Sequence, residues 1–186
     1  MGLAEKGIAY TLQPCGPHAP EILAINPFGR IPALRDGEIA VFETSAILRY
    51  LEESFDAPPL LPGTVLGRTR CEQWLSAVNA YLYDTMVKRD VLQYLMPRGA
   101  DGAPDRAVIE SALKEMPGQL RALDQAYAKG DFIAGANLSM ADLFIAPILA
   151  YVDQMPEGPH LLEMVGNVRR AQAVIRSRGH RPIHST

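Results

Sequence analysis

Hydrophobic residues in the first part of the chain recur with the two-residue period of β-strands. Apolar and polar residues alternate over Ile8–Leu12, and short apolar runs at Ile31–Leu34 and Ile39–Phe42 flank the turn signal Asp36-Gly37. Two such runs around an Asp-Gly pair are typical of a β-hairpin. The pattern predicts three short strands, the last two joined as a hairpin, and a short helical turn over Pro20–Ile25.

After the hairpin the hydrophobic period lengthens to that of an α-helix. Apolar residues on one face predict a helix over Thr44–Phe55. Residues 56–66 are rich in proline and glycine, which is typical of an interdomain linker. We therefore predict two domains: residues 1–56, with mixed α/β structure, and residues 67–186, with helices alone.

The second predicted domain contains several helical patterns. A long first helix has an apolar stripe formed by Leu75, Val78, Leu82 and Met86. The next helix keeps its period across Pro117-Gly118, a pair that also favours a kink or a break. Met140–Val152 is apolar on almost every side, which predicts a helix at the buried centre of the domain. The last pattern predicts one long helix from Pro159 through about Ser177.

Composition and charge exclude several kinds of function. The 186 residues are 48% apolar and 21% charged, with a net charge of −3, as is usual for a soluble globular protein. No basic stripe favours a nucleic-acid partner, and no apolar run reaches the roughly 18 residues that a membrane span needs. Cys15 and Cys71 have neither metal-ligand spacing nor a disulfide pattern, so we expect no metal and a reducing, cytoplasmic location.

Candidate binding chemistry is concentrated in Asn26–Leu34 and in Glu43-Thr44-Ser45. The Ile31-Pro32 bond can be cis, because proline lowers the trans preference to about 0.5–1 kcal/mol, although a trans proline at a strand start is the alternative. A cis bond would leave the Ile31 N–H and C=O free to pair with a peptide backbone. Glu43 and Thr44 add a carboxylate and a hydroxyl at a helix start, where they serve either as a helix cap or as a ligand site.

Four segments together resemble the glutathione S-transferases, of a bacterial type. They are Asn26–Leu34, the pair Glu43-Thr44, Glu5–Tyr10 at the end of a helix, and Ser139–Asp142 as a helix-capping motif. The resemblance runs from about residue 3 to about residue 180. It implies an incomplete thioredoxin-like α/β domain followed by the all-helical C-terminal domain of that family.

The resemblance also implies roles for particular residues. The backbone of Ile31, at the step to Pro32, would pair with the cysteinyl part of glutathione. Glu43 would face the ammonium group of the γ-glutamyl end, and the hydroxyl and N–H of Thr44 would face its carboxylate. Arg30 is a candidate partner of the glycyl carboxylate, with His18 as a weaker one. By the same resemblance, Ser139 and Asp142 form a structural capping box outside the site.

No catalytic residue is assigned. In this family a Tyr, Ser or Cys after the first strand stabilises the glutathione thiolate, and Met1–Gly7 resemble only the end of the helix that follows. We therefore expect the first strand and most of the first helix to be absent from this sequence. A full-length form would conjugate glutathione to small electrophiles as a cytoplasmic homodimer, whereas this chain should have weak or no activity.

Two other functions stay open. The same fold can serve as a non-catalytic module that binds protein partners, which predicts no affinity for glutathione. Cys15 can instead act as a glutathione thiol exchanger, although no neighbouring Lys or Arg and no second cysteine in a C-x-x-C motif favours a reactive thiolate. A plain loop cysteine is the simpler interpretation.

Overall fold

A computed structural model describes residues 1–97, 99 and 102–178. The chain divides into two compact units, Met1–Leu60 and a second unit that begins at Leu61. The division lies inside the predicted linker of residues 56–66. Across the described ranges, no helix combines the length and the apolar character needed to cross a membrane.

The first unit contains three short helices and one hairpin. Its elements in chain order are α1 (Gly2–Glu5), α2 (Pro20–Leu23), β1 (Ala33–Asp36), β2 (Ile39–Phe42) and α3 (Thr44–Ser54). The two strands pair antiparallel, from Ala33 opposite Phe42 to Asp36 opposite Ile39. Gly37 closes the hairpin at φ +56°, a conformation that glycine adopts without steric cost.

Two predictions for this unit are wrong in part. The strand predicted at Ile8–Leu12 is absent, and only Tyr10 forms an isolated bridge. A strand needs a neighbouring ladder, and the described sheet consists of β1 and β2 alone, so the alternating pattern stays irregular. The strand predicted at Ile31–Leu34 begins instead at Ala33, because Pro32 has no N–H to give to a ladder.

Helix α3 holds the first unit together, and its predicted bounds are correct to one residue. Ile47, Leu48 and Leu51 form its buried face. On the same helix, Glu52 accepts hydrogen bonds from the buried Lys6 ammonium and from the Leu60 N–H, both at 2.9 Å. Lys6, near the start of the unit, and Leu60, at its end, therefore both bind the Glu52 carboxylate.

All regular secondary structure among the described residues of the second unit is helical. It contains α4 (Val65–Ala77), a π-helical segment (Val78–Val91), α5 (Leu92–Leu95), α6 (Arg106–Tyr127), α7 (Met140–Val152), α8 (Gly158–Glu163) and α9 (Gly166–Ser177). Residues 179–186 of the predicted helical domain lie outside the described residues. As predicted, α7 is the buried centre, with ten of its 13 residues buried.

The first three helical segments of this unit follow one another without interruption. The predicted stripe is buried along them, at Leu75, Val78, Leu82 and Met86. Buried residues of the π-helical segment recur every four to five positions, as the wider i→i+5 hydrogen-bond pattern requires. The sequence stripe therefore identified the buried face but not the type of helix.

Helix α6 continues through Pro117, which settles the alternative left open at Pro117-Gly118. Proline removes one backbone hydrogen bond from a helix interior. The buried stripe on both sides, which includes Met116 and Leu120, outweighs that loss. Packing of an amphipathic face, rather than local propensity, therefore decides this helix.

The single last helix predicted from Pro159 to Ser177 is wrong, because two helices are present. Helix α8 ends at Glu163 and α9 begins at Gly166. The carboxylate of Asp124, on α6, accepts hydrogen bonds from the N–H groups of Asn167 (2.8 Å) and Val168 (3.1 Å). A distant side chain thus caps the start of α9, where a helix has N–H groups without partners.

Asp90, in the π-helical segment, is a buried carboxyl group with an unsatisfied atom. It is 2% exposed, and its Oδ1 has no hydrogen-bond partner among the residues that the structure describes. Burial is the main cause that raises the pKa of Asp90 from 3.8 to about 6, with Glu157 adding to the shift and Arg106 opposing it. The folded protein therefore binds this proton more tightly than the unfolded chain, and ionised Asp90 lowers stability as the pH rises through that window.

Asp90→Asn is expected to raise the free energy of unfolding at pH 8 by about 1–2 kcal/mol relative to the wild type. The gain should shrink as the pH falls from about 6 and vanish below about 4, where Asp90 is protonated in both states. Urea unfolding across this pH range measures the difference. Asp84→Asn, which changes a half-exposed carboxylate beside Arg89 in the same segment, is the control and should give no such gain. An equal stability of Asp90→Asn and wild type at pH 8 contradicts the prediction.

Candidate functional site

The turn before β1 is shaped by the buried side chain of Asn26. Its Oδ1 accepts from the Phe28 N–H at 3.0 Å, and its Nδ2 donates to the Arg30 carbonyl at 2.8 Å. The Gly29 N–H also donates to the Asn26 carbonyl at 2.9 Å. Asparagine suits this position because its short amide bonds to nearby backbone groups. These bonds fix the backbone that leads into Ile31.

His18 lies against the same turn. Its N–H donates to the Gly29 carbonyl at 2.8 Å, and a Cβ added to Gly29 would collide with the His18 ring. Glycine at position 29, with φ +63°, is therefore required both by the backbone and by the close approach of the imidazole. The structure brings this weaker candidate against Gly29, the residue before Arg30, although His18 is distant from both in the sequence.

The Ile31-Pro32 peptide bond is cis, as one of the two sequence alternatives had it. Ile31 is 52% exposed and Pro32 is also exposed. Within residues 1–97, 99 and 102–178, no hydrogen bond to the N–H or C=O of Ile31 is found. The side chain of Arg30 is likewise exposed and makes no hydrogen bond there. This edge therefore offers backbone groups and one guanidinium to a ligand.

Glu43 occupies the position that precedes α3, in an unusual conformation. Its φ of 68° and ψ of 123° lie outside the regions that L-residues favour, and its side chain makes no capping hydrogen bond. The first intrahelical bond runs from the Ile47 N–H to the Glu43 carbonyl at 2.9 Å, so the N–H groups of Thr44 and Ser45 have no partner within the helix. Strained residues of this kind concentrate at ligand-binding positions.

Strand register brings the two halves of the candidate site together. Ala33 is opposite Phe42, so Pro32 and Glu43 flank the first residue pair of the hairpin. The register thus brings Pro32, which follows Ile31, beside Glu43 and the start of α3, and within the described residues the Glu43 side chain has no ion pair or hydrogen bond. A ligand that spans this edge meets hydrogen-bonding backbone, an anion and a helix N-terminus in succession.

Two residues that support the Arg30–Pro32 edge, Asn26 and Phe28, are not among the site residues predicted from the sequence. Asn26 was part of the turn signal but not a candidate, although it is 1% exposed and positions the loop. Phe28 packs edge-on against Phe42, with 6.2 Å between the ring centroids. The Asn-Pro-x-Gly turn pattern in the sequence is sufficient to identify Asn26 as a turn residue. The contact between Phe28 and Phe42 cannot be read from local sequence, because the two residues belong to different segments.

Metal-ligating groups and cysteine thiols are the other candidate chemical groups of the described chain. No group of three or more His, Cys, Asp or Glu side chains that could hold a metal ion occurs in it. Cys71 is buried, and burial is the main cause that raises the pKa of its thiol. Cys15 is half-buried in the loop before His18.

Comparison with known proteins identifies the family. Residues 1–54 match the family described as "Glutathione S-transferase, N-terminal domain", and residues 106–174 match "Glutathione S-transferase, C-terminal domain". Glutathione S-transferase 3 of Zea mays is 33% identical over 164 residues, which cover 84% of this chain and 73% of that protein. The chain belongs to the glutathione S-transferase family.

Further comparisons confirm the predicted family and fold. The theta-class glutathione S-transferase of Xanthomonas axonopodis pv. citri, solved with glutathione bound, superimposes with a TM-score of 0.81 at 26% identity. The match covers 100% of this chain and 89% of that one. This glutathione S-transferase family chain therefore combines the thioredoxin-like N-terminal fold of the family with its helical C-terminal fold.

Several relatives are not named transferases. The stringent starvation protein A homolog of Pasteurella multocida is 28% identical over 149 residues, which cover 79% of this chain and 65% of that protein. The chain is thus similar both to named glutathione S-transferases and to a protein whose name states no transferase activity. The roles predicted for Arg30, Ile31, Pro32, Glu43 and Thr44 accordingly stay predictions.

Proposed function

We propose that this chain binds glutathione along the edge formed by Arg30–Pro32 and Glu43-Thr44. The γ-glutamyl ammonium pairs with the Glu43 carboxylate, and the γ-glutamyl carboxylate takes the Thr44 hydroxyl and the N–H groups at the start of α3. The cysteinyl backbone pairs with the N–H and C=O of Ile31. The glycyl carboxylate lies by Arg30, with His18 next to the same turn.

One observation carries this proposal: among the described residues the exposed backbone of Ile31 has no hydrogen-bond partner, and the strand register brings the following Pro32 beside Glu43 at the start of α3. Glutathione is a peptide with a charged ammonium and carboxylate at one end, so its groups complement this order. Charge-assisted hydrogen bonds to such groups contribute about 1.5–3 kcal/mol each. The bound glutathione in the Xanthomonas relative supports the same class of ligand.

We propose further that the protein belongs to the conjugating members of the family, whose reaction joins the glutathione sulfur to a small electrophile. Carbon–sulfur bond formation requires the thiolate, while the leaving group departs with its electron pair. We assign the thiolate-stabilising role to no residue among positions 1–186. A polypeptide of these residues is therefore expected to bind glutathione and to conjugate it slowly. Family likeness also favours a cytoplasmic homodimer with a role in detoxification.

Calorimetric titration with glutathione, combined with a conjugation assay on 1-chloro-2,4-dinitrobenzene, tests this function. We expect saturable binding of one glutathione per chain and a conjugation rate close to that of free glutathione at the same pH. Absence of measurable binding would refute the ligand assignment. Turnover typical of an efficient transferase would refute only the expectation of slow conjugation. Light scattering at several protein concentrations tests the homodimer.

A second candidate function is a non-catalytic module that binds protein partners. The similarity to a stringent starvation protein A homolog favours it, because that relative is not named a transferase. This alternative predicts no affinity for glutathione. The same calorimetric titration therefore separates the two functions.

A further inference from the structure

Four ionisable side chains meet in the second unit, where separate segments of the chain come together. They are Asp90 of the π-helical segment, Tyr94 of α5, Arg106 at the start of α6 and Glu157 immediately before α8. The Tyr94 hydroxyl donates to the Glu157 carboxylate at 2.7 Å. The Arg106 guanidinium donates to the same carboxylate at 2.9 Å and to the Tyr94 oxygen at 2.7 Å. We name these four residues the Asp90 cluster.

The Asp90 cluster attaches one segment, residues 92–106, to the rest of the helical unit. The segment contains α5, the connection to α6 and the first residue of α6. Among the described residues, every side-chain hydrogen bond that links it to a distant part of the chain ends on the Glu157 carboxylate. Leu95 and Met96 are exposed, so apolar packing of their side chains adds little to this attachment. Loss of the contacts to Glu157 should therefore free the segment as a unit.

The net charge of the Asp90 cluster depends on one buried proton. Asp90 is 2% exposed, and its Oδ1 has no hydrogen-bond partner within the described ranges. While Asp90 is protonated, the cluster contains one carboxylate and one guanidinium and is neutral. When Asp90 ionises, two carboxylates share the single guanidinium of Arg106, and a net negative charge remains. An uncompensated charge is costly inside a protein, so the ionised cluster favours a state in which water reaches Asp90.

The groups around Asp90 agree with this charge count. Burial is the main cause that raises the pKa of Asp90 to about 6, with Glu157 adding to the shift and Arg106 opposing it. Burial and the bond to Glu157 raise the pKa of Tyr94 to about 12, so its hydroxyl remains a donor at neutral pH. Helices α4 and α7 also pack against the π-helical segment, but among the described residues neither contributes a titratable group to the shift of Asp90.

We propose that the Asp90 cluster is a proton-dependent latch, which keeps residues 92–106 closed while Asp90 is protonated and releases them when Asp90 ionises. In the closed state, Tyr94 and Arg106 both bind the Glu157 carboxylate. Opening lets water solvate the Asp90 carboxylate, and the proton passes to that water. The closed state is therefore favoured in acid and becomes less favoured as the pH rises from about 4 through about 6. The latch belongs to the helical unit and does not depend on glutathione.

Hydrogen–deuterium exchange of the full chain at pH 5 and pH 8 tests the latch. After division by the intrinsic exchange rate at each pH, the opening equilibrium constant of residues 92–106 should be about tenfold larger at pH 8 than at pH 5. Asp90→Asn has no charge at either pH, so the segment should stay closed to the same extent at both. Asp84→Asn, which changes a half-exposed carboxylate of the same π-helical segment, is the matched control and should keep the wild-type response.

Two further measurements separate the latch from global unfolding. Tyr94→Phe removes one donor to Glu157 and should raise the opening of residues 92–106 about tenfold at both pH values, while the ratio between the two values stays as in the wild type. Exchange of this segment should depend little on urea below the unfolding transition, because a local opening exposes little surface. Amides at the buried centre of α7 should instead follow global unfolding.

Equal opening of residues 92–106 at pH 5 and pH 8 in the wild type would overturn the proposal. The same holds for an undiminished pH response in Asp90→Asn, and for exchange of the segment that depends on urea as steeply as that of α7. The two Asp→Asn changes keep the shape of the side chain and Tyr94→Phe keeps the ring, so all three variants should fold. Thermal unfolding verifies this.

Discussion

Replacing Glu43 with glycine is expected to weaken glutathione binding by about 10- to 100-fold without lowering the free energy of unfolding. The change removes the carboxylate that faces the γ-glutamyl ammonium. It also relieves the backbone, because φ 68° and ψ 123° suit glycine better than any L-residue. Loss of binding with unchanged or increased stability separates a ligand contact from a structural role.

Calorimetry with two ligands measures the effect of Glu43→Gly. Glutathione should lose affinity, while the dipeptide cysteinylglycine, which lacks the γ-glutamyl group, should bind weakly and equally to wild type and variant. Glu38→Gly is the control, because it removes an exposed carboxylate from the hairpin turn and changes the net charge equally. A glutathione affinity that drops as much in Glu38→Gly as in Glu43→Gly argues for a long-range charge effect instead of a contact.

Replacing Asp142 with alanine is expected to lower the free energy of unfolding by about 3–5 kcal/mol, a large share of the roughly 5–15 kcal/mol that is typical of a folded domain. The carboxylate is fully buried and accepts four hydrogen bonds. Its Oδ1 takes the Tyr127 hydroxyl (3.1 Å) and the Ile133 N–H (2.9 Å), and its Oδ2 takes the Ser139 N–H (2.9 Å) and hydroxyl (2.7 Å). Alanine leaves all four donors buried without a partner.

The causes of the pKa shift of Asp142 agree with a stabilising role for its hydrogen bonds. Burial is the main cause that raises it, and the hydrogen bonds from Ile133, Ser139 and Tyr127 oppose the rise. Removal of these bonds one at a time should therefore cost less than loss of the carboxylate. We expect about 0.5–2 kcal/mol for Ser139→Ala, which removes one member of the capping box, and about 1 kcal/mol for Tyr127→Phe.

Urea unfolding of this series measures the order of effects, with Asp142→Asn as a variant that keeps the shape of the side chain. Asp131→Asn is the control, because it breaks an exposed ion pair with Arg170 and should cost less than about 1 kcal/mol. The double variant Ser139→Ala/Asp142→Ala should lose less than the sum of the two single losses, since both remove the same bonds. A loss below 1 kcal/mol in Asp142→Ala contradicts the assignment.

Elements with strong local signals were predicted well. The hairpin around Asp36-Gly37, helix α3 and helix α7 are present, with bounds that differ from the prediction by two residues at most. The capping box of Ser139 and Asp142 is also confirmed. In each case a turn pair, a cap or a hydrophobic period lies within the segment itself, so short-range interactions suffice to specify it.

Other features depend on contacts between distant parts of the chain. The break between α8 and α9 follows from Asp124 on α6, which caps α9 across more than 40 positions. The sequence of Ile8–Leu12 alternates as a strand should, but a strand also requires a neighbour to pair with.

The candidate site likewise depends partly on local sequence features and partly on contacts between distant residues. The sequence by itself determined the family and the two fold types, and it predicted the residues of the proposed glutathione edge, because a turn motif, an Ile-Pro step and a helix start are local features. Only the tertiary structure decided how those residues meet. The pairing of Ala33 with Phe42 brings Pro32 next to Glu43, and the Asn26 side chain fixes the turn beside His18. Register and side-chain packing join residues that are distant in the chain, and for that reason they cannot be inferred from hydrophobic period or turn chemistry alone.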